Sequence, residues 1–413
     1  MQRLIFTLAI LLALEVYAYQ AVRTWLRPKS GRVRRWGAVV YWVWAAIPVA
    51  VLLLNAAFDF LPALSREVRI LFFAPFFMTY LGKVVVAAVL LIDDIRRGLG
   101  WVASKARSGG PKYDPSRSRF LSKAALVAGG IPVATLTYGI VRNAYRYRRF
   151  THEVPVANLP AALDGFKIVQ ISDMHSGSWT KHEPIREAIN LINGEDADLI
   201  CFTGDMVNNR ADEMLPFTDL FSQVRAKHGV YSTLGNHDYG DYERWPSEAD
   251  HEDNMQLLYR TQAEMGWDLL RNEHRILDIE GAKLAVIGVE NWSAMPRFPK
   301  HGDLAKAYAG TEGADFRLLL SHDPTHWDAQ VRPDYPDIGL TLSGHTHGFQ
   351  FGVEIPGFRW SPAQYLYEQW AGLYQTGAQF LNVNRGLGFL GYPGRVGILP
   401  EVTVLILKRA TED

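Results

Sequence analysis

Five short polar blocks carry the residues of this 413-residue chain that could do chemistry: Asp173-Met174-His175, Gly204-Asp205, Gly235-Asn236-His237-Asp238, Ser321-His322 and Gly344-His345-Thr346-His347. Their donors are carboxylate oxygen, amide oxygen and imidazole nitrogen without thiolate. Such a set suits manganese, iron or zinc ions rather than an iron–sulfur cluster or a structural Cys-bound zinc. Six or seven ligands are too many for one catalytic ion that keeps an open position. They fit two divalent ions about 3.5–4 Å apart sharing a carboxylate, which acidify a bridging water and hold both the attacking and leaving oxygens of a phosphoryl transfer. Any one block alone is more often a surface turn than a site. Five in order, each behind an apolar strand, form a joint signal.

The elements that must position these blocks follow from residue 165 onward. Short runs rich in Val, Ile and Leu predict strands over 167–172, 198–202, 229–234, 283–289, 317–320, 339–342, 379–383 and 402–407, and amphipathic stretches predict helices over 183–192, 216–225 and 252–265. Nearly continuous apolar strands are buried on both faces, the mark of an α/β core, here an αββα sandwich. Ligands in open α/β sheets bind beyond the carboxyl ends of strands, where the five blocks lie. The single cysteine, Cys201, excludes a disulfide framework. The insertion 239–275 reads as a cap over the site. The aromatic stretch 349–374 reads as packed core, an acyl-binding groove or a bilayer-interface element. His326, four residues after His322, reads as a solvated surface histidine.

Upstream the composition changes. Residues 1–150 hold 22 basic and 6 acidic side chains, whereas residues 151–413 hold 21 basic, 37 acidic and all twelve histidines. Apolar runs over about 4–22, 37–54, 68–92 and 121–141 are each long enough to span a bilayer as a helix. The expected organisation is a four-helix transmembrane module, residues 1–150, followed by a catalytic domain, residues 151–413. Lys and Arg crowd the first and third connections, so both are expected inside, which puts the C-terminal domain on the extracytoplasmic side of the cell membrane. Arg142, Arg146, Arg148 and Arg149, just after the fourth run, pull the other way. The stretch 100–119 reads as a linker loop, and 142–159 as the connection between the two parts. Glu15 and Lys83 fall inside spans at similar depth, and an unpaired charge there costs at least about 2.5 kcal/mol, so the two either pair between helices or Lys83 snorkels and Glu15 is protonated.

The five blocks together resemble the signature of the calcineurin-like metallophosphoesterases, over about residues 165–410. The late motif Asn384-Arg385-Gly386-Leu387-Gly388 is similar to that of the membrane-associated YkuE/YaeI-like branch, though four spans exceed the single anchor or export signal expected of it. The resemblance implies that Asp173, His175 and His347 hold one ion, Asn236, His322 and His345 the other, and that Asp205 bridges them. His237 is then the free imidazole that assists the departing oxygen, with Asp238 a candidate to orient it. Arg385, Asn208 and Arg210 are candidate contacts for substrate phosphate, with a structural salt bridge as the alternative for Arg385. The expected activity is hydrolysis of phosphoester or pyrophosphate bonds by a metal-bridging hydroxide. A lipid-linked phosphate is the first expectation for the substrate, membrane lipid is an expected partner and nucleic acid is not. The alternatives are a non-catalytic metal-binding module, or a transporter or sensor regulated by a phosphoesterase domain.

Overall fold

The computed structural model describes residues 2–61, 64, 66–105 and 115–410. The chain forms two compact units, Met1–Tyr138 and Gly139–Asp413.

The first unit contains α1 (Gln2–Leu26), α2 (Gly31–Phe58), α3 (Arg66–Lys105) and α4 (Pro115–Tyr138). Among the described residues, four helices are long and apolar enough to cross a membrane. Helix α3 runs well past the expected end at residue 92. Its charges there are matched one turn apart, Arg96 with Asp93 at 2.8 Å and Arg97 with Asp94, which supports helix beyond the apolar run. The expected linker 100–119 is therefore helical at both ends, and its residues 106–114 lie outside the described residues. Helices α3 and α4 approach closely at Gly82 and Gly129, where a Cβ on Gly82 would lie 2.5 Å from the Gly129 carbonyl oxygen. Of the two alternatives for these charges, the ion pair is present: Lys83 Nζ lies 2.5 Å from Glu15 Oε1, with Glu15 only 2% exposed.

The second unit is a sandwich of two six-stranded sheets. Its strands are β1 (Arg148–Val156), β2 (Lys167–Ile171), β3 (Leu199–Phe202), β4 (Val230–Ser232), β5 (Asp268–Leu269), β6 (Glu273–Ile279) and β7 (Ala282–Gly288). They continue with β8 (Phe316–Leu320), β9 (Leu340–Ser343), β10 (Val353–Ile355), β11 (Phe358–Trp360), β12 (Gly372–Thr376), β13 (Gln379–Val383) and β14 (Glu401–Arg409). One sheet has the order β1-β14-β2-β3-β4-β5 and the other β12-β13-β9-β8-β7-β6, while β10 and β11 make a separate hairpin.

Alternation along each strand builds the layers. Ile168, Leu199, Cys201 and Leu405 from the first sheet meet Leu284, Leu318, Leu340 and Phe380 from the second in one inter-sheet core. Val169, Ile171, Ile200 and Phe202 point the other way, onto Ile185, Ile189 and Ile192 of α5 (Glu183–Asn193). The outer face of the second sheet, with Ile287 and Leu319, is covered by Leu304, Trp327 and Val331.

Three expectations are corrected. Strand β1 lies within the stretch read as a connection, and pairs in parallel with β14. Its exposed charges and Pro155 hide it from a search for apolar runs, and both belong to a sheet edge. Of the expected helix 216–225, only 218–221 is α-helical, α6 (Thr218–Phe221). The insertion 239–275 covers the site only at Tyr242, which lies against Asn236 and His237; its helix α7 (Glu248–Glu264) instead sends Met255 and Leu258 into the core beside Phe202 and Trp267. The stretch 349–374 divides, with Tyr367 and Trp370 buried and Phe349, Phe351, Phe358 and Tyr365 exposed.

Candidate metal centre

The ends of β2, β3, β8 and β9, with the loop after β4, bring the five blocks together. Parallel pairing of β2 with β3 sets Ile171 beside Phe202, so Asp173 and Asp205 leave the sheet as neighbours. In the second sheet β8 and β9 pair in parallel, and Ser321 N donates to Leu342 O just before His322. Five of the seven expected ligands adopt left-handed backbone: Asp173 (φ 48°), His175 (47°), Asp205 (59°), His345 (70°) and His347 (50°). Each such residue carries strain of order 1–3 kcal/mol, and clustering of that kind is typical of functional sites. The glycines of the late motif allow the Asp173 turn to pack tightly, since a Cβ on Gly388 would collide with the Met174 carbonyl.

Two groups of side chains converge. Asp173, His175 and His347 form one, and Asp205, His322 and His345 the other. In the first, His175 Nε2 and His347 Nε2 face each other at 2.9 Å, and His347 Nε2 lies 3.2 Å from Asp173 Oδ1. In the second, His345 Nδ1 and His322 Nε2 face each other at 3.2 Å. Asp205 stands between the groups, its Oδ2 3.5 Å from His175 Nε2 and 3.2 Å from His322 Nε2.

The donor set fits divalent cations. His322 Nδ1 donates to Thr203 O at 2.7 Å, which turns Nε2 toward Asp205 at 3.2 Å; burial works against the charge of this ring, but the Asp205 carboxylate outweighs it and holds the imidazole up at about 10. Asn236 Nδ2 donates to Tyr242 Oη at 2.9 Å, while its Oδ1 is buried with no hydrogen-bond partner. A buried acceptor is rarely left in that state unless something else satisfies it. Burial works against the Asp173 carboxylate charge, but His347 outweighs it and holds the group down at about 2. Asp205 is likewise held well below the usual carboxylate range: burial opposes its charge, and His322 and His237 overcome it. Burial and the charge of His347 push His175 well down, toward the neutral form that ligates metal.

His237 stands apart from both groups on the wall of a cavity of about 350 Å³. Its backbone N–H donates to Asp205 Oδ1 at 2.8 Å, and its ring packs on Tyr242 at 4.5 Å. The Nδ1–H donates to the Asn208 carbonyl at 2.7 Å. Asp238, expected to orient this ring, does something else. Its carboxylate accepts from the backbone N–H groups of Asp205, Met206 and Gly235, each at 2.8 Å, and so clamps two ligand loops together.

Of the expected phosphate contacts, Asn208 is buried and touches His237 through its backbone, and Arg210 is paired with Asp212 at 3.2 Å and stacked on Trp245. Arg385 is 1% exposed and bound to Glu354 at 2.7 Å and to Glu401, the salt-bridge alternative, and it does not line the cavity. His326 is buried rather than solvated, between Ser321 Oγ at 2.8 Å and Gln330 Oε1 at 2.9 Å. Reading the sequence missed Arg297, Phe298 and Tyr367, which line the cavity. Arg297 Nη2 donates to Tyr367 Oη at 3.3 Å, and Tyr367 Oη lies 2.9 Å from His345 Nε2. Arg395 was also missed: it is fully buried, binds the carbonyls of Arg385, Gly386 and Gly388, and lies 3.4 Å from His347 Nδ1. Arg297, Phe298 and Arg395 are isolated in the sequence, without a motif to single them out, and Tyr367 is one of many aromatic residues in the stretch 349–374.

The chain matches two family models. One, described as calcineurin-like phosphoesterase, covers residues 166–349, and the other, described as probable calcineurin-like phosphoesterase, transmembrane domain, covers residues 1–144. The second accounts for the four spans that depart from a single anchor. The uncharacterized metallophosphoesterase YkuE of Bacillus subtilis (strain 168) is 31% identical over 298 residues, 70% of this chain and 93% of that protein. A transmembrane protein with metallophosphoesterase domain from Danio rerio is 28% identical over 336 residues, 79% of this chain and 71% of that protein. Phosphodiesterase YaeI of Escherichia coli (strain K12) is 28% identical over 247 residues, 59% of this chain and 82% of that protein. With both family models matched in chain order and the two His/Asp groups at its strand ends, the chain belongs to the calcineurin-like metallophosphoesterases, as a membrane-spanning, metal-dependent phosphohydrolase.

Proposed function

We propose that the protein hydrolyses a phosphoester or pyrophosphate bond of a lipid-linked substrate, with its catalytic domain on the extracytoplasmic side of the membrane. Asp173, His175 and His347 would hold one ion, Asn236, His322 and His345 the second, and Asp205 would serve both. Manganese, iron and zinc suit these ligands. When bound, two such ions acidify water and neutralise phosphoryl oxygens. The observation that carries this reading is Asp205 Oδ2 within 3.5 Å of an imidazole from each group.

The chain's own residues supply the rest. His237 faces the cavity with its Nδ1–H fixed on Asn208 O, so Nε2 is the atom that takes up a second proton from solvent and passes it to the leaving oxygen. Arg297, on the same wall and without an ion pair among the described residues, is placed to bind a phosphate oxygen. The basic first and third connections support the extracytoplasmic side. The lipid-linked class rests on the membrane unit that precedes the domain.

The test uses the purified full chain. About two metals per chain, and hydrolysis of bis(p-nitrophenyl) phosphate or p-nitrophenyl phosphate that is lost in Asp205→Asn, are the expected outcome. A folded protein that binds no divalent metal overturns the reading.

A further inference from the structure

The exposed apolar surface of the second unit is concentrated in one place. Beyond Val141, ten large apolar side chains are exposed among its described residues, and seven of them fall between Phe349 and Leu366. The hairpin β10–β11 forms the centre of this patch. Ile355 and Phe358 sit opposite one another at its tip, 58% and 54% exposed, on either side of Pro356-Gly357. Beside them Phe351, Tyr365 and Leu366 are also exposed. A two-stranded hairpin outside both main sheets does not keep such a face in water without reason. Contiguous exposed patches of this kind mark interaction surfaces, and in isolation favour aggregation.

Three features of the structure point to what covers it. The patch starts on the cavity wall, because Phe349 lines the same cavity as His237 and Arg297. It also adjoins the point where the chain enters the unit. Gly139 O accepts from Arg395 N at 3.3 Å, and Gly352 N donates to Val396 O at 2.8 Å, so residues 395–396 join the root of the hairpin to the entry turn Gly139–Asn143. That turn is the end of the last apolar run, Ser116–Asn143, and it carries exposed Val141 and Arg142. Apolar and aromatic side chains flanked by arginine are the composition that partitions into the bilayer interface.

We infer that the β10–β11 hairpin, with Tyr365 and Leu366, inserts into the interface of the membrane that holds α1–α4, and opens the cavity toward phosphoesters carried by lipids of that surface. This deepens the lipid-linked reading above and rests on it for the substrate, while the insertion itself does not depend on catalysis.

Two measurements separate these parts. The first places an environment-sensitive fluorophore on Ile355→Cys in the full chain, in nanodiscs of phosphatidylcholine with brominated acyl chains; buried Cys201 stays unlabelled under native conditions. Loss of emission at position 355, with none at Ile276→Cys on β6, is the expected result. Equal emission with and without bromine at position 355 overturns insertion and leaves the patch to a protein partner. The second compares wild type with the double variant Ile355→Ser/Phe358→Ser on two probes, water-soluble bis(p-nitrophenyl) phosphate and a diacyl-lipid nitrophenyl phosphodiester held in the bilayer. The expected loss is about tenfold or more on the lipid probe, from the apolar area removed, with the soluble probe unchanged. Equal rates for variant and wild type on the lipid probe overturn the access role. Failure of wild type to cleave any lipid probe while it cleaves the soluble one removes the lipid-linked reading, with insertion still decided by the fluorophore.

Discussion

His237 Nδ1 lies 2.7 Å from the backbone carbonyl of Asn208, three residues past Asp205. A carbonyl only accepts, so one proton stays on Nδ1, and a proton given to a substrate is a second one that Nε2 has taken up. The role is one a leaving group can report. His237→Gln should lower the rate on an alkyl phosphodiester by about 100-fold or more, and far less on a nitrophenyl ester, whose anion departs without a proton. Metal content should stay at the wild-type level. Equal losses on both esters would give His237 a different task.

Asp238 reaches neither the cavity nor the His237 ring, but it accepts three backbone N–H groups at 2.8 Å, from the loops that carry Asp205 and Asn236. In Asp238→Asn one oxygen becomes an NH2 group that faces N–H donors. The expected result is loss of about 2–3 kcal/mol of stability, read by thermal unfolding, together with weaker metal binding from a residue that touches no metal. A variant that keeps wild-type melting and metal content would refute the clamp.

These two residues also show what could be read in advance. The five blocks were legible because each ligand follows an apolar strand, and strand ends are where α/β folds collect ligands. The division of labour between His237, Asp238 and Asn208 was not, because it depends on a backbone carbonyl, which every residue has. Tyr367 and Arg297 reach the cavity from loops far apart in the chain, and only the sandwich brings them together. Strand β1 escaped notice because an edge strand with charged and Pro residues lacks the apolar run that betrays a central one. His326 was misjudged because its two polar partners, Ser321 and Gln330, come from the local turn that buries it.

Arg385 binds Glu401 and Glu354 as a buried fork and takes no part in the cavity wall. Arg385→Met strands the Glu401 carboxylate, which is fully buried, and should cost about 3–5 kcal/mol. Arg385→Lys should recover little of that, since an ammonium cannot span two carboxylates. In both variants KM for a soluble phosphodiester should be unchanged in the folded fraction. A rise in KM with unaltered melting would return Arg385 to the substrate.

The Lys83 ammonium lies 5.3 Å from the centre of the Tyr41 ring and 4.6 Å from that of Tyr80, in addition to its pairing with Glu15. Lys83→Met leaves Glu15 buried without its cation and should destabilise the protein in detergent by about 3 kcal/mol or more. The double variant Glu15→Gln/Lys83→Met should recover most of the loss, since neither charge is then buried. Additive losses in the double-variant cycle would mean that the two residues do not depend on each other.

His326 supplies a pH dependence whose sign is fixed by burial. The ring is buried between Ser321 and Gln330, and desolvation pushes it down from its ordinary value to about 4. Between pH 6.5 and pH 4 the unfolded chain therefore binds a proton at this site that the folded chain refuses, and stability falls as the pH is lowered. From pH 7 to pH 5 the loss from this one group is about 2 kcal/mol, several degrees of melting temperature. His326→Gln keeps a polar side chain at the site and removes the titration. Acid stripping of metal acts on both proteins, so the informative quantity is the difference between their melting temperatures across that range. The variant should lose less than wild type as the pH drops. Parallel curves would show that His326 takes up its proton in the folded state as readily as in the unfolded one.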